Sequence, residues 1–186
     1  MRNRLALASG LAVALIASPA GALEDHPVFV VPGYIHSFMG GHSPASGNGV
    51  ELTINVGTET SGSRAAVQIG AIGQLESLSG ESGRSTRWAL GAQGSILGLG
   101  VELAYAKRGA DDTHSVTHGL HFAPFLSFGV ISVAYRWTTP IRRDEYTHGN
   151  DNGFVLALKI PLPLRGSVRD LVELPFSRGG PITFGN

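Results

Sequence analysis

After the first 22 residues, apolar and polar residues alternate along the chain with a period of two, and helical periodicity is nearly absent. Such alternation is typical of β-strands whose two faces meet different surroundings. In segment 50–56, for instance, Leu52 and Ile54 share one face, while Glu51 and Thr53 share the other. Seven segments follow this pattern clearly and an eighth, the first, is blurred by Pro32 and Gly33; in chain order the eight are 28–39, 50–56, 65–75, 88–96, 97–108, 114–124, 129–138 and 153–164. The pattern predicts an all-β protein with eight strands.

The lengths of these segments and of their connections favour a barrel that crosses a membrane. Most segments are close to the ~9–11 residues that a tilted membrane strand needs. The predicted connections alternate between short turns, near 95–98 and 126–129, and longer polar stretches, at 40–48, 77–85, 108–114 and 139–152. Short turns at one end and longer loops at the other are typical of an up-and-down antiparallel membrane β-barrel. With eight strands, both ends of the barrel domain, residues 23–164, fall on the short-turn, periplasmic side.

Few charged residues fall on the polar face of the predicted strands. Charged residues make up 15% of the chain, below the ~25% of ordinary soluble domains. The polar face carries four of them, Glu51, Glu102, Arg136 and Lys159. A water-facing surface usually has ~25–35% charged residues, and a basic residue in the middle of a membrane costs ~2–4 kcal/mol. We therefore expect this face to line a closed, narrow lumen, where Glu102 pairs with Lys159 and Glu51 pairs with Arg136.

Aromatic residues of the opposite face predict a second membrane feature. Five of them have outward parity and fall toward the long-loop end: Trp88, Tyr105, Tyr135, Trp137 and Phe154. Aromatic residues at one level around a barrel form the girdle found at a membrane–water interface. His118 has the same outward parity, which is unexpected for a side chain that faces lipid.

The two flanks of the barrel domain have other patterns. Residues 1–22 have the features of a cleaved signal peptide: Arg2 and Arg4 at the start, a short apolar run, and Ala20-Gly21-Ala22 at the expected cleavage site. The apolar run is shorter than the ~20 residues of a membrane-spanning helix. The tail, residues 165–186, has a Ser167–Asp170 spacing that resembles a capping box and predicts one short helix before Pro175.

Composition argues against several kinds of activity. The chain has 14 basic and 14 acidic residues, so it lacks the basic surface of a nucleic-acid-binding protein. It has no cysteine and therefore no disulfide or catalytic thiol. It has no G-x-S-x-G segment typical of a hydrolase nucleophile and no phosphate-binding loop. We expect no catalytic residue and no cofactor.

The histidines do not predict a metal site. On a strand, His114 and His118 would lie ~13 Å apart, and His121 would point to the other face, whereas ligands of one ion lie ~2 Å from it. Asp144, Glu145, His148 and Asp151 fall in one polar stretch, but their spacing is not that of a calcium-binding loop. We interpret that stretch as a solvated surface loop.

Taken together, residues 28–164 resemble the small eight-stranded outer-membrane β-barrels of the OmpA and OmpX type. The resemblance rests on the signal peptide, the number of strands, the alternation, the aromatic positions and the lumen charges. It implies insertion into a bacterial outer membrane by the barrel-assembly machinery, contact with membrane lipid, a plugged lumen without a wide pore, and a structural or surface-interaction role. Pro161, Pro163 and the tail after Leu164 depart from the usual pattern.

Two alternatives remain open from the sequence. One is a soluble exported β-sandwich or lipocalin-like ligand binder, in which the apolar face would line a cavity. The other is a barrel-borne enzyme that modifies lipid. The pattern identifies no particular surface ligand for any of the three.

Overall fold

The structure, a computed structural model, describes residues 26–41, 43–59, 66–143 and 145–165. The predicted signal peptide and the predicted helix of the tail lie outside these residues. Within them, no helix is long and apolar enough to cross a membrane. Nine β-strands form one sheet: β1 (Val28–Gly41), β2 (Ala45–Glu59), β3 (Ala66–Gly80), β4 (Gly83–Ile96), β5 (Leu99–Arg108), β6 (Thr117–Phe128), β7 (Ile131–Pro140), β8 (Asp151–Lys159) and β9 (Leu162–Arg165).

The sheet closes on itself because β1 pairs with both β2 and β8. Every pair from β1–β2 through β7–β8 joins chain neighbours in antiparallel register. The closing pair runs from Gly33 opposite Lys159 to Gly41 opposite Asp151. The predicted fold class, an all-β up-and-down antiparallel barrel of eight strands, is confirmed. The segment 28–39 is the closing strand, and a single closed sheet excludes the two-sheet sandwich.

The predicted last strand, 153–164, is interrupted near its end. It divides into β8 and the short β9, and Pro161, which has no amide hydrogen to donate, lies between them. The amide of Ile160 donates to the carbonyl of Pro32 at 2.9 Å, so the chain stays beside β1 across the break. The short strand then pairs with the first residues of β1, with a shift in register at Val28.

The two ends of the barrel differ in their connections. Two tight turns, at 97–98 and 129–130, join strands at the end where β1 begins, as predicted. Leu97 and Gly98 both have positive φ, of 53° and 83°, which is the conformation of a type I′ hairpin turn. At the other end, hereafter the loop end, the connections after β5 and β7 span 109–116 and 141–150.

Two of the predicted long loops, 40–48 and 77–85, are mostly strand, and this part of the prediction was wrong. Gly47 lies opposite Leu78 on the neighbouring strand, and only residues 81–82 separate β3 from β4. These stretches are rich in glycine and serine, which are turn-forming residues, yet their side chains keep the strand alternation. As a result β1 to β4 are 14 or 15 residues long, whereas β5 and β7 have 10.

The apolar face of the barrel points outward and the polar face points inward. On the middle of β5, Leu103 is 59% exposed, while its inward neighbours Glu102 and Ala104 are buried. The lumen is filled by small residues and a few large ones. Near the tight-turn end, the ring of Phe125 occupies the space in front of Gly100, where a Cβ atom would lie 2.3 Å from the ring.

Candidate functional site

A polar network fills the middle of the lumen, and all eight long strands contribute to it. The residues are buried and come in strand order: Ser37, Glu51, Gln74 and Glu76, Arg87, Glu102, His121, Arg136 and Lys159. Three are carboxylates and three are cations, so the formal charges balance when the histidine is neutral. The inward parity of consecutive strands is what brings these side chains to one place.

Glu76 lies at the centre of the network. Its Oε1 atom lies 2.6 Å from Arg87 Nη1 and 2.8 Å from Arg136 Nη2. Its Oε2 atom accepts a hydrogen bond from Ser37 Oγ at 2.7 Å. One carboxylate therefore links four strands, β1, β3, β4 and β7. Because a buried charge is costly unless it is paired, this arrangement satisfies two guanidinium groups at once.

Gln74 joins this centre to a second group of charges. Its amide nitrogen donates to Glu51 at 2.9 Å and to Glu102 at 3.2 Å. Its amide oxygen accepts from Arg87 at 3.3 Å and from Arg136 at 3.4 Å. A single neutral amide thus uses its donors on two carboxylates and its acceptor on two guanidinium groups. The network is continuous across the lumen.

The geometry also determines the tautomer of His121. Arg87 Nη2 lies 2.7 Å from His121 Nδ1, and a guanidinium group can only donate. Nδ1 must therefore accept, and the ring proton must be on Nε2. Nε2 lies 3.2 Å from Glu102 Oε2, to which it donates. A neutral imidazole relays a hydrogen bond from a cation to an anion.

The four sequence-predicted lumen residues are all inside the barrel, but the predicted partners are corrected. Lys159 Nζ pairs with Glu51 at 2.5 Å, and not with Glu102. Arg136 pairs with Glu76, and not with Glu51. Glu102 instead receives hydrogen bonds from Gln74 and His121.

Sequence reasoning missed Glu76 and Arg87 because the predicted strands ended at 75 and began at 88. The true strands continue for several residues on either side of the short turn at 81–82. The signal was nevertheless present, since Glu76 has the same parity as Gln74, and Arg87 has the parity opposite to Trp88. Extending the alternation into the polar stretch would have found both.

The five predicted girdle residues all have outward parity. Four of them lie in the halves of their strands nearest the loop end, and Tyr135 lies in the middle of β7. Tyr135 contacts Trp137 and Phe154 edge-on, with ring centroids 4.4 and 4.9 Å apart. The rings of Trp88 and Tyr105 are 5.5 Å apart. The outward His118 lies beside this group, hydrogen-bonded to the hydroxyl of Tyr105. That bond gives its polar ring a partner on the outer surface.

The connections at the loop end fold against the barrel mouth. Arg108 Nη1 lies 3.1 Å from both carboxylate oxygens of Asp151 and 3.2 Å from the carbonyl of Ser43. His148 is 1% exposed and Asp151 is 4% exposed. The interpretation of the polar stretch that contains Asp144, Glu145, His148 and Asp151 as a solvated loop was therefore wrong for His148 and Asp151. It holds for Glu145, which is exposed, and Asp144 lies outside the described residues.

Three side chains from the two long loops, hereafter the Asp-His-His cluster, meet at this mouth: Asp111, His114 and His148. Asp111 Oδ1 lies 2.9 Å from His114 Nδ1, and Asp111 Oδ2 lies 3.8 Å from His148 Nδ1. The two imidazole rings stack with centroids 4.6 Å apart. The expectation of no metal site considered His114 only with its neighbours in sequence and missed this combination.

Burial and hydrogen bonds determine which side chains of the cluster are charged. Burial lowers the pKa of His148 to about 4, assisted by the nearby Arg108 cation, so this ring is neutral. Burial alone would raise the pKa of Asp111, but hydrogen bonds from the amide of Thr113 and from His114 lower it to about 2. At neutral pH the cluster is therefore a carboxylate facing a neutral imidazole.

Comparison of the whole chain with protein-family models, with curated proteins and with solved structures finds no match. The structure shows a small closed antiparallel barrel of eight strands, and the resemblance to outer-membrane barrels stays a prediction.

Proposed function

We propose that this chain is an integral β-barrel of a bacterial outer membrane, with a plugged lumen and a structural or surface-interaction role, and that it is not an enzyme. The observation that carries the proposal is the apolar outer surface of the barrel. Large apolar side chains are exposed on each of the eight long strands, for example Phe38, Leu52, Leu75, Leu90, Leu103, Leu120, Val133 and Leu156.

Such a surface is unfavourable in water. The largest apolar patch on a typical soluble monomer is about 300–600 Å². Here the apolar residues continue around the whole barrel, and charged residues in the middle of the strands, such as Glu102, are buried inside. The outward cations Arg84 and Lys107 lie near the loop end of β4 and β5, where the wall would leave the lipid. Lipid chains are the surroundings in which this distribution stabilises the fold, because they solvate apolar side chains and cannot hydrate charges.

The aromatic residues support the same orientation. Trp88 and Trp137 are exposed on the outer face in the halves of β4 and β7 nearest the loop end, where their rings would lie at the level of the lipid headgroups. The loop end would then face the outside of the cell and the tight turns would face the periplasm. Export by the predicted signal peptide and insertion by the barrel-assembly machinery complete this proposal.

The lumen network supports a role that does not involve transport. Arg136 and Glu76 join opposite sides of the lumen, and Lys159 joins Glu51 across the closing strand. A solute would have to separate buried ion pairs to pass. The surfaces left for function are the outer wall and the loop end, which suit tethering or binding at the cell surface.

A lipocalin-like binder is the second candidate, because an eight-stranded closed barrel is also the lipocalin architecture. Such a protein would hold its ligand in an apolar lumen and expose its polar face. In this chain the faces are reversed, which favours the membrane proposal. A lipid-modifying barrel would share the membrane location and is distinguished by an assay of lipid turnover.

The test is fractionation of cells that express the whole chain. We expect the mature protein to stay in the outer-membrane fraction after a carbonate wash and to show heat-modifiable migration in gels. We also expect no steady conductance when the purified protein is inserted into a planar bilayer. Recovery in the wash as a detergent-free monomer would overturn the proposal and favour the lipocalin-like candidate.

A further inference from the structure

We propose that the Asp-His-His cluster, Asp111, His114 and His148, is a binding site for a divalent transition-metal ion, with Zn²⁺ as the best match. The three residues come from the two long connections at the loop end and meet beside the barrel mouth. The inference does not depend on the proposed membrane location, because it rests on contacts within the two loops.

The spacing of the three potential ligand atoms suits one ion. The three atoms lie within 4.8 Å of one another. Zinc binds imidazole nitrogen and carboxylate oxygen at about 2.0–2.2 Å in tetrahedral sites, which places two ligand atoms roughly 3.3 Å apart. The Asp111 carboxylate faces the two rings with different oxygens: Oδ1 lies 2.9 Å from His114 Nδ1, and Oδ2 lies 3.8 Å from His148 Nδ1.

His148 supplies the observation that points to a ligand. Its Nε2 atom donates to the carbonyl of Gly109 at 3.0 Å, which leaves Nδ1 as the ring nitrogen that faces Asp111. That Nδ1 atom is buried and has no hydrogen-bond partner. It faces an oxygen of Asp111 across 3.8 Å, which is too long for a hydrogen bond even if Nδ1 were protonated. A cation between the two acceptor atoms would satisfy both.

The outer contacts of the two imidazoles have the arrangement found around bound metals. Metal-ligating histidines usually bind the metal through one nitrogen and use the other to contact the protein. His148 contacts the Gly109 carbonyl through Nε2, and His114 Nε2 lies 3.2 Å from Ser43 Oγ. Both rings therefore present Nδ1 to Asp111. Their orientation is held by the protein before any ion arrives.

The nearest cationic side chain does not prevent binding. Arg108 Nη2 lies 3.9 Å from Asp111, but its Nη1 contacts both oxygens of Asp151, so a second carboxylate balances its charge. The His114 side chain is 12% exposed, while those of Asp111 and His148 are 1% exposed. The His114 side of the cluster is therefore the path by which an ion would enter.

The ligand set indicates the class of metal. Calcium and magnesium bind through oxygen, whereas two imidazole nitrogens and one carboxylate suit zinc and other first-row transition metals. Three protein ligands leave the fourth tetrahedral position open, as in zinc sites that bind water or an external group.

The experiment is a metal titration of the purified full chain after removal of metals with a chelator. Zn²⁺ is added in competition with a coloured chelator, and Co²⁺ is added separately to record its absorption spectrum. The variants are His148→Gln, Asp111→Asn and His114→Gln. The matched control is His118→Gln, which removes a histidine from the outward face of β6. Circular dichroism verifies the fold of each protein.

We expect one equivalent of Zn²⁺ per chain and a Co²⁺ spectrum of tetrahedral type. Loss of a contact outside the ligand shell usually weakens binding about 10- to 100-fold, so loss of a ligand should weaken it at least ~100-fold. His118→Gln should bind as the unsubstituted chain does. Absence of stoichiometric Zn²⁺ binding, or equal affinity in His148→Gln, would overturn the proposal. If His148→Gln fails to fold, the affinity of Asp111→Asn for Zn²⁺ and the Co²⁺ spectrum of the unsubstituted chain test the proposal instead. A Co²⁺ spectrum of the octahedral, fully hydrated ion would also contradict the proposal.

Discussion

Arg136 on β7 reaches across the lumen to Glu76 on β3, with 2.8 Å between its Nη2 atom and Oε1. Both side chains are almost fully buried. Since Arg87 contacts the same oxygen, one carboxylate holds two cations from different strands. The stability of the barrel should depend more on Glu76 than on any other lumen carboxylate.

Substitution of Glu76 by Gln should therefore destabilise the barrel severely. The change leaves Arg87 and Arg136 buried without their common anion, and breaking a buried ion pair typically costs about 3–5 kcal/mol. Urea unfolding in detergent micelles, followed by tryptophan fluorescence, measures the free energy of unfolding. The matched control is Glu81→Gln in the exposed turn between β3 and β4, which should change this free energy by less than about 0.5 kcal/mol. Equal effects of the two substitutions would contradict the central role of Glu76.

The partner of Lys159 can be tested by double-mutant cycles. Because Nζ lies 2.5 Å from Glu51, the cycle of Lys159→Met with Glu51→Gln should give a coupling energy of about 1–3 kcal/mol. The cycle of Arg136→Met with Glu51→Gln should give a smaller value, since Arg136 contacts Glu76 instead. Coupling that is larger in the second cycle would restore the pairing expected from the sequence alone.

The depth of outward residues should determine the cost of placing a charge there. Leu103 lies in the middle of β5, and Ile131 is the first residue of β7, beside a tight turn. In a membrane, Leu103→Arg should cost about 2–4 kcal/mol and Ile131→Arg about 0–1 kcal/mol, because the cost falls toward the interface. Unfolding titrations in lipid vesicles provide the comparison. Equal losses, or none, would argue that lipid does not surround this wall.

The glycine in front of Phe125 should not tolerate a side chain. A Cβ atom on Gly100 would lie 2.3 Å from the Phe125 ring and 2.6 Å from the Gly94 carbonyl, so Gly100→Ala should cost about 1–3 kcal/mol through overpacking. Gly94→Ala is the control, since its nearest contact would be 3.8 Å away. The free energy of unfolding should be lower for Gly100→Ala than for Gly94→Ala. A neutral Gly100→Ala would mean that the lumen is less tightly filled at this level.

The alternation of residues predicted which way side chains point, but it did not predict where strands end. Facing direction follows from the two-residue period of a strand, so Glu102 and Leu103 were placed on the correct faces. The ends of β3 and β4 were missed because they contain serine and glycine, which are common in turns. Pairing with long neighbouring strands overrides that local preference.

Contacts across the lumen and between loops could not be predicted in the same way. Which cation meets which carboxylate depends on the stagger between strands, which is fixed only when β1 meets β8. The meeting of His148 with Asp111 depends on how two separate loops fold over one mouth. Neither the ion pairs across the lumen nor the contacts between loops produce a repeating pattern of residues. The local sequence therefore cannot predict them.

The pairing of the first strand with the eighth makes assembly of this fold all-or-none. Until β8 reaches β1, the growing sheet has two bare edges, each with unsatisfied amides and carbonyls that can recruit a foreign strand. A chain that stops before Asp151 would keep both edges and would be prone to aggregate. Cellular quality control should accordingly recognise chains whose sheet has not closed. Any chaperone that binds this polypeptide should release it only after β8 has paired with β1.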